Sequence, residues 1–283
     1  MESVQELRRK LQAFKYEGRE RPWGYFHLQR RPSIYLSRLA IKQNFTPNQI
    51  TLAGITLGLA GCVLVFFSLP FKIIGALLIY LNVLSDKVDG EVARWRIQKN
   101  LGKVYLRGVY LDELNHLIIP PLFVLGITLG IIARFPYNTS FLTLMGALAA
   151  LSLPVLRVYH SLAPQIFAKK YAKHPELFAP LPSSETKDAV SEIKRKRTFL
   201  RRLAQTFHQL QDFFLITLFF FIAFLLELIF PVFRPSLLSG LLLVILGIAL
   251  PLMVVENSLK GFFSIEHRVR DVKEKLKEEK EDF

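Results

Sequence analysis

The chain alternates long apolar blocks with short polar ones. Runs near 50–69, 71–95, 112–133, 139–162, 213–230 and 236–257 carry few charges. Each approaches or reaches the ~20 residues that take an α-helix across a hydrocarbon core of ~30 Å. Within lipid a spanning segment must satisfy its own backbone groups, so single apolar runs of this length are helices. The pattern predicts an all-α, polytopic membrane protein with six transmembrane helices. Pro70, Pro136, Pro231 and Pro235 punctuate the short connections. The expected layout is an N-terminal cytosolic or interfacial segment 1–49, a membrane domain 50–260 that includes a basic loop 164–212, and a charged tail 261–283. Inside the first run Gly54, Gly58 and Gly61 recur at helical spacing. Small residues let helices approach closely in lipid, so this stripe is a packing face within the bundle or between subunits.

The polar blocks add direction. Ahead of the first run, Trp23, Tyr25, Phe26, Ile34, Tyr35 and Leu39 alternate with Arg30, Arg31, Arg38 and Lys42. That suits a segment lying in the headgroup layer, the alternative being a solvated basic tail. The 283 residues are 51% hydrophobic and carry a formal charge of +14. Because the basic residues flank apolar runs, an anionic lipid surface fits this charge better than nucleic acid does. With the N-terminus inside, the outer loops hold only Lys72, Arg134 and Arg234, leaving 37 − 3 = 34 basic residues on the cytosolic side. The positive-inside rule thus expects both termini in the cytosol, at the plasma or inner membrane of a prokaryote. No cleavable signal peptide is evident. Lys194-Arg195-Lys196-Arg197 and Arg201-Arg202 make the longest loop either a lipid-facing basic helix or an ordinary positive-inside loop. Residues 271–283 read as an exposed or frayed helix. The single Cys62 lies in an apolar run, permits no internal disulfide, and reads as a packing residue.

Candidate chemistry sits late in the second run. Asp86, Asp89, Gly90, Ala93 and Arg94 have relative positions 0, 3, 4, 7 and 8, which is one helical face, and Asn82 extends it. Measured from Phe71, Asp86 lies ~22 Å along the helix, still within the slab. Carboxylates at that depth face a cavity, a partner or a metal. An ion pair with Arg94 or Arg157 that merely fixes packing is the alternative, and it leaves the glycine unexplained. The third run opens with Asp112 and His116 four apart, with Asn115 beside them. The two runs are antiparallel and joined by a short cytosolic connection, so Asp86, Asp89, Asp112 and His116 are expected to converge. Clustered carboxylates stay ionised together around divalent cations, and two such ions can clamp a diphosphate. Gly90 removes a side chain where a phosphate approaches, and Arg94 neutralises phosphate oxygens.

These residues resemble the CDP-alcohol phosphotransferase family, whose signature reads Asp-x-x-Asp-Gly-x-x-Ala-Arg followed by Gly-x-x-x-Asp-x-x-x-Asp. Asp86, Asp89, Gly90, Ala93, Arg94, Gly108 and Asp112 match in order, and Thr46-Pro47-Asn48-Gln49-Ile50-Thr51 resembles the family's entry to its first helix. The likeness covers roughly residues 30–260. Two departures stand out. Thirteen residues separate Arg94 from Gly108, more than the family's usual spacing, which reads as a longer cytosolic loop; Gly102 fits the spacing better but no Asp follows it at the right distance. The last signature Asp is His116.

The resemblance implies transfer of a phosphatidyl or related group from a CDP-alcohol to an acceptor alcohol in phospholipid synthesis, with release of CMP, by a homodimer. It implies Mg²⁺ or Mn²⁺ on Asp86, Asp89, Asp112 and His116, and nucleotide contacts from Gly90, Ala93, Arg94, Asn48 and Thr51. It makes Asp112 and His116 the catalytic pair, with His116 the base for the acceptor hydroxyl. Imidazole tolerates that role, and a nitrogen donor shifts metal preference toward softer ions. Glu113 is the other candidate base but points ~100° away from Asp112. Arg157, near Tyr159 and His160, is a candidate for the acceptor's phosphate or a snorkelling side chain; Glu256, Asn257 and Lys260 carry weaker support. The rival readings are a catalytically inactive scaffold of the same fold and a small ion or solute transporter, which lacks the broken-helix repeats expected of one.

Overall fold

The structure, a computed structural model, describes residues 2–12, 25–101, 106–134, 138–168, 212–230 and 236–281. Among these residues it forms helices α1 (Val4–Gln12), α2 (Arg31–Lys42), α3 (Pro47–Leu64), α4 (Leu69–Gln98), α5 (Leu106–Ile132), α6 (Thr139–Ile166), α7 (Phe213–Ile229) and α8 (Leu237–Glu281), with a π-helical turn at Tyr25–Arg30. Trp23, Gly102, Pro136, Pro231, Arg234, Pro235 and the basic runs at 194–197 and 201–202 lie outside the described residues.

Five helices are long and apolar enough to cross a membrane: α3, α4, α5, α6 and α8. The chain is therefore an all-α integral membrane protein. The sixth expected span, α7, is apolar but only 17 residues long, about 26 Å. It nevertheless runs the depth of the bundle. Its first turn lies beside the carboxylate end of α4, and Phe224 near its other end packs under the Lys72 ammonium in the first turn of α4. Lys72, expected in an outer loop, is in fact buried inside that turn, its Nζ 3.3 Å from Ser236 Oγ at the start of α8.

Local chemistry sets the helix ends. Thr46 and Gln49 form a capping box, with Gln49 Oε1 accepting from the Thr46 N–H at 2.9 Å and Thr46 Oγ1 accepting from the Gln49 N–H at 3.3 Å. Pro47 follows at the first position, where no N–H is needed. The first span thus begins before residue 50. It also ends before 69: a turn follows Leu64, and Leu69 and Pro70 already open α4. At the other extreme, α8 runs 45 residues, about 68 Å, carrying the charged tail as one helix through Glu281.

The core is aliphatic and aromatic. Ile79 of α4, Phe123 and Ile127 of α5, Phe220 and Phe224 of α7, and Leu246 of α8 are fully buried in one cluster. Phe123 meets Phe213 and Phe220 edge-on at 5.7 and 5.8 Å. Leu52, Val63, Leu77, Leu129, Leu151 and Leu252 point outward and exposed, the surface a lipid solvent requires.

The glycine stripe works inside the bundle. A Cβ on Gly61 would stand 2.8 Å from the Gly75 carbonyl oxygen, and one on Gly75 would stand 2.8 Å from that of Gly61. The α3–α4 contact is backbone against backbone there. About two turns closer to the carboxylates, the Asn82 amide donates to Gly54 O and to Asn115 Oδ1, both at 2.9 Å, tying α3, α4 and α5 together. Cys62 is buried beside Ile119, as a packing residue.

The N-terminal segment is docked on α4. Leu7, Leu11 and Ile34 pack with Ile41 and Trp95, and Ala40 packs on Val88 and Val92. The outward face of α2 carries Arg31, Tyr35, Leu39 and Lys42, all exposed, so the helix keeps the amphipathic pattern of a headgroup-layer element.

Candidate active site

Three helix ends build the site. The last turns of α4 carry Asp86 and Asp89, the first turns of α5 carry Asp112 and His116, and the capped start of α3 lends Asn48 and Thr51. The backbone contact at Gly61 and Gly75 and the Asn82 bonds hold these ends close together.

His116 Nε2 lies 3.5 Å from Asp112 Oδ1 and 3.7 Å from Asp86 Oδ1. One donor atom from each of the three residues lies within 4.8 Å of the other two. Asp112 Oδ1 is buried and accepts no hydrogen bond. The other oxygen of Asp86 takes the ammonium of Lys87. Asp89 stands aside from the triad: its Oδ2 accepts a 2.5 Å hydrogen bond from Thr51 Oγ1. The expected fourfold convergence thus resolves into a triad and a neighbour.

The triad fits a divalent cation. Nitrogen and oxygen donors ~2.1 Å from one ion at a near-tetrahedral angle stand ~3.4 Å apart. The two separations at His116 are close to that, and Asp112 Oδ1 is a buried acceptor lacking a donor. Two carboxylates and an imidazole suit Mn²⁺ and its neighbours as well as Mg²⁺.

Beside the triad opens a cleft of about 500 Å³. Asn48, Thr51, Asp89, Gly90, Ala93 and Asp112 line it, together with Thr46, Pro47, Arg96, Ile97, Leu101, Gly108 and Val109. The expected nucleotide residues are therefore gathered on one cleft, apart from Arg94, whose guanidinium lies against Gly90. A Cβ at Gly90 would be 3.3 Å from Arg94 Nη1. Gly90 makes room for that arginine as much as for a ligand. Gly108 does the same for Asn48, whose Oδ1 would be 2.8 Å from an added Cβ.

Arg157 is elsewhere. It forms a two-pronged pair with Glu113, Nη2 to Oε1 at 2.8 Å and Nε to Oε2 at 3.3 Å, outside the cleft lining. Its partner is thus Glu113 and not Asp86 or Asp89. Glu256 pairs with Lys260 on an exposed face of α8, also away from the cleft, and Asn257 is buried.

Three residues escaped the sequence reading. Lys87, next to Asp86, supplies the site's nearest cation. Asp212 caps α7, its Oδ1 accepting from the Phe214 N–H at 3.0 Å, and lies close enough to Lys87, His116 and Asp86 to feel their charges. Burial raises its carboxyl above the ordinary range. An Asp immediately before an apolar run is an N-cap signal that would have found it. Glu91 is buried on the opposite face of α4, bound to the N-terminal segment. Nothing in its local pattern names those partners.

No curated protein matches the chain. Residues 44–183 match the sequence model of the CDP-alcohol phosphatidyltransferase family. That stretch contains every signature position and the whole of the triad and cleft, so a CDP-alcohol phosphatidyltransferase domain occupies residues 44–183.

Proposed function

We propose that this protein transfers a phosphatidyl or related phospho-alcohol group from a CDP-activated lipid to an acceptor alcohol, releasing CMP, as a step of phospholipid synthesis. One observation carries the reading: the donor atoms of Asp86, Asp112 and His116 lie within 4.8 Å of one another, at the wall of a cleft lined by Asn48, Thr51, Asp89, Gly90 and Ala93.

Asp86, Asp112 and His116 are the residues that hold a divalent cation, with Asp89 beside them. Bound there, the cation supplies positive charge against the diphosphate and the departing phosphate. The remaining work belongs to the chain. Arg94, lying on Gly90, and the polar groups of Asn48 and Thr51 orient the nucleotide. With Nε2 turned to the two carboxylates and the cation, the other imidazole nitrogen of His116 is the one left to take the proton from the acceptor hydroxyl. The acceptor oxygen forms its bond to the lipid-side phosphorus as the bond from that phosphorus to the CMP oxygen breaks. Ile97, Leu101 and Val109 give the cleft an apolar flank.

Arg157 is assigned to the phosphate of a phosphorylated acceptor. Its pair with Glu113 is half-exposed, and such pairs are worth only ~0–1 kcal/mol, so an anionic acceptor can displace the carboxylate. The cytosolic orientation rests on the charge asymmetry of the loops. A homodimer, implied by the family, must use a surface other than the Gly54–Gly61 stripe, which is spent inside the bundle.

The experiment follows both products. Purified protein is given radiolabelled CDP-diacylglycerol, a divalent ion and a panel of acceptor alcohols, and CMP and the new lipid are measured together. Asp89→Ala is expected to abolish CMP release; full activity in that variant refutes the assignment. His116→Asp is expected to keep turnover and His116→Ala to lose it at every pH. The Lys87 ammonium on Asp86 favours a second reading, a catalytically silent scaffold. Absence of any metal or CDP binding by the purified protein selects that one.

A further inference from the structure

The most heavily hydrogen-bonded carboxylate among the described residues takes no part in the reaction above. Glu91 is 0% exposed. Its Oε1 accepts from Arg30 Nη1 at 3.0 Å, Gln12 Nε2 at 2.8 Å and Ser33 Oγ at 2.8 Å, and its Oε2 accepts from Ser37 Oγ at 2.7 Å. Every one of these donors belongs to the N-terminal segment: the end of α1, the π-helical turn and α2. The donors are themselves braced, Gln12 Nε2 on the Arg30 carbonyl at 2.8 Å and Arg30 Nε on the Tyr25 hydroxyl at 2.9 Å. A buried carboxylate with one cation and three neutral donors is fully satisfied only when ionised and only when that segment is docked.

Glu91 sits between Gly90 and Ala93, but its own side chain points away from the cleft, so it touches neither ligand nor reacting atoms. What it controls is the corner between α2 and α3. From Ser37, α2 runs one turn to the residues before Thr46, where Arg96 Nη1 donates to the Phe45 carbonyl at 3.2 Å. The corner is thereby fastened to α4 at two points, Glu91 and Arg96. Its next residues are Thr46, Pro47, Asn48 and Thr51, one whole wall of the cleft, facing Asp89 and Gly90 on α4. The 2.5 Å bond from Thr51 to Asp89 exists at the register these fastenings set.

We infer that Glu91 is a positioning residue: through it the N-terminal segment clamps the α2–α3 corner at the distance from α4 that the CDP moiety requires. The inference rests on the reading of this cleft as the nucleotide site. The segment is then a structural wall of that site, and not simply a membrane-surface anchor.

The test compares wild type, Glu91→Gln and the charge-free pair Arg30→Gln with Glu91→Gln in lipid nanodiscs. Steady-state CMP release is read together with backbone hydrogen exchange at residues 46–51. Glu91→Gln is expected to raise KM for the CDP-lipid about tenfold while kcat stays within about threefold, and to speed exchange at 46–51. Removing both charges is expected to recover most of the loss, since a neutral pair leaves no buried charge unmatched. Should Glu91→Gln alone fail to fold, Ser37→Ala, which removes one donor to Glu91 and no charge, carries the comparison with the same expected direction. Wild-type KM and unchanged exchange at 46–51 overturn the inference. So does a uniform rise of exchange across all helices with kcat and KM unchanged in ratio, which marks a merely structural role. If wild-type protein releases no CMP from any CDP-lipid, the activity reading falls, while exchange at 46–51 still decides whether Glu91 holds the corner.

Discussion

Thr51 shows how much one hydroxyl carries in this site. It is buried, and it bridges α3 to α4 by donating a 2.5 Å hydrogen bond to Asp89 Oδ2. Thr51→Val keeps the shape and removes the donor, leaving a carboxylate oxygen unmatched in a poorly solvated place. Hydrogen bonds to charged groups contribute about 1.5–3 kcal/mol, so kcat/KM for CMP release is expected to fall about 10- to 100-fold. A variant with unaltered kcat/KM in the same assay removes Asp89 from the working site. His116 makes the complementary point. Its Nε2 stands 3.7 and 3.5 Å from oxygens of Asp86 and Asp112, and a neutral imidazole there brings one negative charge fewer than a carboxylate would.

At the scale of elements, the decisive contact is between α3 and α4. Gly61 and Gly75 meet backbone to backbone, and everything nearer the carboxylates depends on that closeness: the Asn82 bonds, the Thr51–Asp89 bond and the cleft itself. Gly61→Ala places a methyl 2.8 Å from a carbonyl oxygen that cannot swing away. Overpacking of this kind costs about 1–3 kcal/mol. The thermal midpoint in detergent is expected to drop by about 3–10 °C, followed by intrinsic fluorescence, with a parallel loss of CDP binding. Gly240, beside which an added Cβ meets nothing within 4 Å, serves as the control: Gly240→Ala leaves the midpoint in place.

For the whole molecule, the distribution of charge ties function to membrane and ion. The carboxylates of the triad, the docked N-terminal segment and the cap of α7 at Asp212 all gather at one end of the bundle, while Lys72 and Ser236 meet at the other. Stripping divalent ions with a chelator is expected to reduce CMP release to background and to lower the thermal midpoint. Re-addition of Mn²⁺ or Mg²⁺ restores both. An ion at about 100 times its Kd stabilises the native state by ~2.7 kcal/mol, enough to read in a melting curve. Activity that survives exhaustive chelation removes the metal from the mechanism.

Much of this was legible in the residues alone. The apolar runs determined the class of protein, because a run of that length has one stable form in lipid. Spacings of three and four determined that Asp86 and Asp89 share a face, as do Asp112 and His116, because helical geometry is local. Tertiary structure alone decided the partners. It turned Asp89 to Thr51 and Arg157 to Glu113, buried Lys72 in a helix, and spent the glycine stripe inside the bundle. It also joined Glu91 to donors 54 to 79 residues earlier. Periodicity is written in neighbouring residues and can be read from them. Which face meets which is settled by close packing and by satisfying buried polar groups across the whole bundle, and no local pattern carries that information.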